Sequence, residues 1–192
     1  VDAEFLAKWN LKNDDAILAD ATYQPLVDEV VANPKGFRAP GGAGQNTLVM
    51  AKWMLQDQGR VAIVGSVGDD KNREKLEQIM NSCHVEHFYQ ILPGSYTGCC
   101  AILVCDGNRS IVASTAASSM FRFDGYLTPQ LEQAFNETKV VLITTFFMRS
   151  SQISAIAVTS ECLAKGIPVA VGLSSPSAIE SEAWPTLLSI LR

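Results

Sequence analysis

The chain has 192 residues, a formal net charge of −5, and hydrophobic residues at 47% of its positions. This length suits one α/β domain with a substantial core, and the composition is that of a folded protein rather than a disordered one. The acidic balance argues against a nucleic-acid partner, which would require a basic patch. No apolar run approaches the ~18 residues of a membrane span, and the N-terminus lacks the pattern of a signal peptide, so we expect no membrane association.

The cysteines are odd in number, five in all, and most lie within apolar runs. They form no zinc pattern with the two histidines, His84 and His87. Reduced core thiols are the favoured interpretation, which predicts a cytoplasmic protein, with the nucleus as an alternative. Cys99 and Cys100 are adjacent on a predicted strand, so we expect them to face opposite sides of it.

The N-terminal third of the chain contains one clear loop signal. A short strand is predicted at 16–19, and a helix at 24–32 that stops at the following Asn-Pro pair. The loop signal APGGAGQN at 39–46 comes next and runs into residues of helical composition at 47–55. These features predict a loop that leads directly into a helix.

The remaining elements alternate between strands and helices, with one hairpin between them. Strands are predicted at 60–64, 87–92, 140–144 and 168–171, and helices at 70–82, 128–137, 151–165 and 178–191. The runs 97–105 and 109–115 flank Asp-Gly-Asn, a strong hairpin signal. Apolar strands joined by helices predict an α/β fold with a mainly parallel sheet, and the hairpin predicts a separate small β element.

The glycine loop is the main candidate for a binding site. Gly41, Gly42 and Gly44 permit close approach of the backbone to a ligand, and the following helix would direct free N–H groups at that ligand. The pattern is neither a P-loop nor a dinucleotide fingerprint. A tight turn before a helix explains these residues equally well. Asn46 is either the N-cap of the helix or a side chain that holds a vicinal diol.

Three further sites have both a structural and a functional interpretation. Arg109 at the hairpin is a solvated surface residue or a ligand for phosphate oxygens. The pair Asp69-Asp70 favours the dipole of the following helix or binds a metal. Phe146 and Phe147 follow a predicted strand end, where α/β proteins place ligands, and one of the two rings could stack on a base.

At the glycine loop the sequence resembles the ribokinase (PfkB-type) family of carbohydrate kinases. The segments GGAGQNT at 41–47 and VAIVGSVGDD at 61–70 are similar to its N-terminal signature. Shorter segments, in the same order along the chain, resemble the adenosine kinase group of that family: FLAK at 5–8, AILAD at 16–20, AKWM at 51–54, TGCCA at 97–101, GNRS at 107–110, FF at 146–147 and LSSP at 173–176.

This resemblance implies a ribokinase-like α/β core that carries a small β lid, with adenosine bound between them. It divides the chain into residues 1–40 and 85–118 for the lid and its adjoining segments, and residues 41–84 and 119–192 for an incomplete core. Gly41, Gly42 and Asn46 would meet the ribose, and Arg109 would steady the transferring phosphate. The adenine side would be formed by five residues, with Phe147 stacking on the base: Leu18, Cys100, Ile111, Ala113 and Phe147.

The reaction implied by the resemblance is transfer of the γ-phosphoryl group of ATP to the 5′-hydroxyl of adenosine, with Mg²⁺, in a monomeric protein. Positioning and charge neutralisation dominate such chemistry. The family also has a late Gly-Ala-Gly-Asp motif with the catalytic base, an Asn-x-x-Glu motif, and a first strand with an Asn and an Asp, none of which occurs here. Gly172 replaces a usual Asn, and Arg73 a usual small residue.

We therefore expect the 192 residues to be part of a longer protein and to be inactive alone. Two alternatives stay open beside adenosine as the acceptor. One is a ribokinase-type kinase for another nucleoside or sugar, and the other is a non-catalytic nucleoside-binding module that keeps the acceptor pocket and lid.

Overall fold

The computed structural model describes residues 1–124, 126–173 and 184–191. Within them the strands are β1 (Ala16–Leu18), β2 (Ala62–Gly68), β3 (Glu86–Leu92), β4 (Cys99–Cys105), β5 (Asn108–Ser114), β6 (Val141–Thr144) and β7 (Val169–Gly172). The helices are α1 (Ala3–Lys8), α2 (Gln24–Ala32), α3 (Ala43–Leu55), α4 (Lys71–Ser82), α5 (Pro129–Glu137), α6 (Thr145–Ser150), α7 (Gln152–Lys165) and α8 (Trp184–Leu191), with a 3₁₀ helix at Ala116–Met120.

Two parallel strand pairs form the α/β part of the molecule, as the sequence predicted. β2 pairs with β3, and β6 pairs with β7. Helix α3 contacts both β2 and β6, while α7 packs its buried face on a core around Phe121 and Ile143. β3 pairs with β2 over the whole register from Ala62–Glu86 to Gly68–Leu92, although the sequence-based division grouped residues 85–118 with the lid.

A separate three-stranded sheet in the order β1-β5-β4 contains the predicted hairpin. We call it the lid sheet. β4 and β5 are antiparallel, and β1 runs parallel to β5 on its other side. Leu26 and Val27 of α2 are buried in a core with Leu103 and Val112 of this sheet, to which α1 also contributes. One face of the lid sheet is therefore covered by helices.

Local sequence signals explain where several elements begin and end. The Asp70 side chain accepts a hydrogen bond from Arg73 N at the start of α4, and the Thr128 side chain does the same for Leu131 N ahead of Pro129. Gly166 ends α7 in the left-handed conformation with φ 66°. The hairpin turns at Asp106-Gly107, both with positive φ, as a two-residue turn requires.

Some predicted boundaries are wrong. The strand predicted at 60–64 is found at Ala62–Gly68, because pairing with β3 carries it through Gly65. Helix α3 begins at Ala43, inside the segment predicted as a loop. The first helical turn shares the glycine-rich composition of the loop, so composition alone places the boundary too late. The short helices α1 and α6 were not predicted. Residues 178–183 of the predicted last helix lie outside the described residues.

No helix among the residues described is long and apolar enough to cross a membrane.

Candidate functional site

The glycine loop meets helix α3 at Gly42, which is the N-cap residue. Its backbone has φ 111° and ψ 133°, a conformation that favours glycine. A Cβ atom built at Gly41 or Gly42 would meet no other atom within 4 Å, so both positions face open space. No side chain caps α3, which leaves its first N–H groups available to an external acceptor.

Asn46 is not the N-cap of α3, so that interpretation of the sequence is wrong. It lies one full turn into the helix, where its backbone N–H donates to the Gly42 carbonyl at 2.9 Å. Its side chain is exposed. The amide group is therefore free for the other predicted role, in which it would donate to one hydroxyl of a diol and accept from the other.

Thr144 links the start of α3 to the start of α6. A Cβ atom built at Gly44 would lie 3.6 Å from Thr144 Cγ2. The Thr144 hydroxyl oxygen accepts a hydrogen bond from Phe147 N at 3.2 Å and so caps α6. The structure thus brings the glycine loop and the Phe146-Phe147 pair together at the carboxyl end of β6.

The two adjacent phenylalanines have different environments, as the sequence indicated. Phe146 has a relative exposure of 48%. Phe147 is half-buried, and its ring centroid lies 5.9 Å from that of Phe121 with an interplanar angle of 53°. Phe147 is therefore held in place by the core, whereas Phe146 is directed largely to solvent.

The other predicted adenine-side residues lie on one face of the lid sheet. Leu18 is opposite Ala113 in the β1–β5 register, and Cys100 is opposite Ala113 in the β4–β5 register, so these three side chains form one row across the sheet. Ile111 lies two residues along β5 on the same face. These side chains are half-buried or exposed, and Leu18 has a relative exposure of 54%.

The two faces of the lid sheet have opposite environments. Alternate residues such as Ala101, Leu103 and Val112 are buried under α1 and α2, whereas Ile102 and Val104 are more than half exposed. We call the uncovered side the open lid face. It is an apolar surface formed by the β4–β5 hairpin and by β1, which is distant from the hairpin in sequence.

Arg109 occupies the same face at the end of the lid sheet near the hairpin turn. Arg109 pairs with Val104 of β4 and lies four residues from Ala113 along β5. At the usual rise of ~3.3 Å per residue, the Cα atoms of Arg109 and Ala113 are about 13 Å apart. The Arg109 side chain is exposed, and no carboxylate of the described residues forms an ion pair with it. The guanidinium is thus available for an anion.

All five cysteines are free, and the prediction that Cys99 and Cys100 face opposite sides is confirmed. Cys99 packs against the core under the lid sheet, and Cys100 is exposed on the open lid face. Desolvation raises the pKa of the Cys100 thiol above its ordinary value. The thiol is therefore neutral near pH 7 and contributes an uncharged surface.

Neither the acidic pair nor the histidines join this site. Asp70 caps α4, and Asp69 forms an ion pair with Arg73 at 3.2 Å. His87 stacks on Tyr89 with a centroid distance of 5.2 Å. Within the described ranges, no group of three or more His, Cys, Asp or Glu side chains could hold a metal ion.

Sequence reasoning missed the role of Thr144. Its position at a strand end, before a pair of aromatic residues, is the pattern of an N-cap. Its contact with Gly44 depends on tertiary packing, which the sequence does not show.

The protein-family model described as "pfkB family carbohydrate kinase" matches residues 4–191. The chain belongs to this family. The matched region includes the glycine loop, the lid sheet and the Phe146-Phe147 pair, so the resemblance recognised in the sequence is confirmed.

The chain is similar to curated adenosine kinases over most of its length. Adenosine kinase 2 of Arabidopsis thaliana is 31% identical over 180 residues, which are 94% of this chain and 52% of the relative. The adenosine kinase of Dictyostelium discoideum is 31% identical, with 94% and 53% covered. The chain spans about half the length of these curated relatives.

The crystal structure of Anopheles gambiae adenosine kinase, in complex with P1,P4-di(adenosine-5) tetraphosphate, superposes with a TM-score of 0.89 at 29% identity. It covers 99% of this chain, which in turn covers 56% of that one. The predicted ribokinase-like α/β fold is therefore confirmed.

Proposed function

We propose that this chain forms the acceptor-binding part of an adenosine kinase, a purine-salvage enzyme that transfers the γ-phosphoryl group of ATP to the 5′-hydroxyl of adenosine and forms AMP. The observation that carries the proposal is the open lid face. An uncovered apolar surface on one face of the lid sheet, in a pfkB-family chain, favours an acceptor that has a flat apolar group.

The open lid face would contact the adenine. Leu18, Cys100 and Ala113 form a row that presents aliphatic carbon and a neutral thiol, and Ile111 extends it towards the hairpin turn. Phe147, fixed by its packing on Phe121, would supply a rigid aromatic ring for stacking on the base. These contacts favour a nucleoside over a free sugar as the acceptor.

The ribose would lie at the start of α3. Open space at Gly41 and Gly42 allows a sugar to approach the backbone, and the uncapped N–H groups would donate to its hydroxyl oxygens. The exposed amide of Asn46 would complete the contact with the 2′- and 3′-hydroxyls.

Arg109 would act on the transferring phosphate. It carries a charge with no ion-pair partner among the described residues, at the end of the lid face opposite the Ala113 row. A guanidinium donates two parallel hydrogen bonds to phosphate oxygens and stabilises the charge that is shared during transfer.

ATP would be the phosphoryl donor, since the family consists of kinases. Mg²⁺ would accompany ATP, and the roles proposed for the described residues concern the acceptor and the transferring phosphate. We also propose that the protein is a monomer and that it meets adenosine and ATP in the cytoplasm.

Calorimetric titration of the 192-residue chain with adenosine and with ribose tests this function. We expect saturable binding of adenosine and no measurable binding of ribose. Ala113→Leu would project a larger side chain from the centre of the lid row and abolish adenosine binding, while Ala164→Leu makes the same change at an exposed position of α7. Equal binding of adenosine by both variants, or none by the wild type, would refute the proposal.

A phosphotransfer assay with ATP and magnesium addresses the expectation that the chain alone is inactive. We expect no AMP above background, because the motif with the base aspartate is absent. Turnover by the purified chain would contradict that expectation.

A further inference from the structure

The lid sheet is attached to the α/β part of the molecule close to the end of β2. The chain enters the β4–β5 hairpin of the lid sheet through residues 93–98 and leaves it through Thr115, which leads into the 3₁₀ helix. Both connections run beside Ser66, Gly68 and Asp70, which are spaced two residues apart along β2 and just beyond it.

Close packing fixes the entering connection over β2. A Cβ atom at Gly68 would lie 2.4 Å from the Ser95 carbonyl oxygen and 2.5 Å from Tyr96 Cα. A Cβ atom at Gly98 would lie 2.7 Å from the Thr115 carbonyl oxygen, where the entering and leaving connections cross. Neither position can accept a larger residue without displacement of the backbone.

Two hydrogen bonds at the leaving connection are independent of Asp70. The Ser66 hydroxyl donates to the Ala117 carbonyl at 2.6 Å, and Ala117 N donates to the Tyr96 carbonyl at 3.1 Å. Ser66 and Ala117 are both buried. The leaving connection is therefore held on β2 and on the entering connection at the same point.

Asp70 holds the entering connection itself. One carboxylate oxygen accepts hydrogen bonds from Arg73 N at 2.9 Å and from the Thr97 hydroxyl at 2.8 Å. The other accepts from Thr97 N at 2.7 Å. Thr97 is buried, and its hydroxyl oxygen accepts from Gly68 N at 3.2 Å. Asp70 thus joins the first turn of α4 to Thr97, two residues before β4.

We propose that Asp70 is a positioning residue that sets where the lid sheet sits relative to the glycine loop. The N-cap role explains only its bond to Arg73 N, which needs one oxygen. The remaining two bonds join it to Thr97, so the same carboxylate fixes a helix of the core and the root of the lid. A substitution at Asp70 that keeps the bond to Arg73 N but loses a bond to Thr97 should therefore change the position of the lid sheet while α4 keeps its N-cap.

Asp70→Asn separates these two roles. Asparagine is a good N-cap, and its oxygen can still accept from Arg73 N. Its NH₂ group is a donor, however, and would oppose the Thr97 N–H. Asp69→Asn is the matched control, because it removes the same charge one residue earlier from a carboxylate that, among the described residues, pairs with Arg73 and makes no hydrogen bond to Thr97.

Amide hydrogen exchange of the 192-residue chain, resolved by NMR, is the direct measurement. We expect exchange at Thr97 and Gly68 to rise by about tenfold or more in Asp70→Asn, since a hydrogen bond to a charged group is worth at least that factor. Amides of α4 and all amides of Asp69→Asn should keep rates near those of the wild type. Unchanged exchange at Thr97 would overturn the proposal.

Thr97→Ser and Thr97→Val give a second test that leaves Asp70 in place. Serine keeps the hydroxyl, whereas valine has nearly the same shape without it. We expect fast exchange at Gly68 in the valine variant and near-wild-type exchange in the serine variant. Equal exchange in the two variants would show that the hydroxyl does not secure the lid root.

The effect on ligand binding rests on the proposed function. We expect Asp70→Asn to weaken adenosine binding by about fivefold or more, because a smaller fraction of lids occupies the binding position. Unchanged affinity despite faster exchange would refute the positioning role. A wild-type chain that does not bind adenosine would refute the proposed function instead, and exchange at Thr97 would then decide the role of Asp70 alone.

Discussion

The Thr144 hydroxyl oxygen accepts a hydrogen bond from Phe147 N at 3.2 Å, while Thr144 Cγ2 lies 3.6 Å from the position of a Cβ atom built at Gly44. One side chain therefore sets both the start of α6 and its separation from α3. The ring of Phe147 is held from behind by Phe121, so its direction is fixed relative to the glycine loop.

Phe147→Leu tests whether the ring of Phe147 contacts the base. Leucine keeps an apolar side chain against Phe121 but has no aromatic face. We expect adenosine affinity to fall roughly tenfold, within the range of ~1–3 kcal/mol for stacking on one base. Phe146→Leu is the control at the exposed neighbour, and isothermal titration of both variants is the measurement. A larger loss of affinity in Phe146→Leu would show that Phe146, and not Phe147, stacks on the base.

The open lid face shows which part of the site the sequence predicts and which part it does not. The turn residues Asp106-Gly107 predict the hairpin, and alternation predicts that Cys99 and Cys100 face opposite sides. The pairing of Leu18 with Ala113 is a contact between distant segments, which local patterns do not specify. Only the resemblance to the family predicts that both residues contact the same ligand.

The link between Asp70 and Thr97 also lies beyond local sequence patterns. From the sequence, the pair Asp69-Asp70 is expected to favour the dipole of the following helix or to bind a metal, and the structure shows Asp70 as the N-cap of that helix. The second partner of the carboxylate comes from a connection that follows β3, and its approach depends on the close packing at Gly68. The position of two acidic residues before a helix therefore points to the helix start but not to the two hydrogen bonds with Thr97.

The two faces of the lid sheet should differ in their sensitivity to truncation. Leu103→Ala removes a fully buried side chain from the core with α2, so we expect the free energy of unfolding to fall by about 2–5 kcal/mol. Ile102→Ala changes the next residue, which is 53% exposed on the open face, and should shift it by at most ~0.5 kcal/mol. Urea unfolding measures both. Similar losses would show that the open face is packed.

Gly42 should be the sensitive residue of the glycine pair. Ala at position 42 would meet no atom, but φ 111° is unfavourable for any residue with a Cβ, at a cost of order 1–3 kcal/mol. Gly41→Ala has the same open surroundings without the positive φ and should leave stability nearly unchanged. Thermal unfolding of the two variants separates strain from contact, and equal melting temperatures would contradict the strained conformation.

Arg109→Gln should separate phosphate binding from base binding. The guanidinium lies about 13 Å along β5 from Ala113, so its removal should leave adenosine affinity unchanged. Binding of AMP should weaken by about tenfold, the usual order for loss of a charge-assisted hydrogen bond. Titration with both ligands measures the ratio. An equal loss for adenosine and AMP would remove the phosphate role.

Asp70 should also make the stability of the chain depend on acidity. Burial by itself would raise the pKa of its carboxyl group, but the hydrogen bonds from Arg73 N, Thr97 N and the Thr97 hydroxyl outweigh it and hold the pKa below the ordinary value of 3.8. The unfolded chain therefore binds this proton more readily than the folded chain does. The contribution of Asp70 is fully present above the ordinary pKa and is lost as the pH falls through the lower, folded value.

The measurement is the free energy of unfolding of the wild type and of Asp70→Asn across this range. We expect the wild type to be the more stable protein near about pH 6, and the difference to shrink as the pH falls below ~4. Asp69→Asn should show no such convergence from this cause, because the Asp69 carboxylate makes none of the Thr97 bonds. A gap between wild type and Asp70→Asn that stays constant as the pH falls would mean that the ionised carboxylate does not hold the lid root.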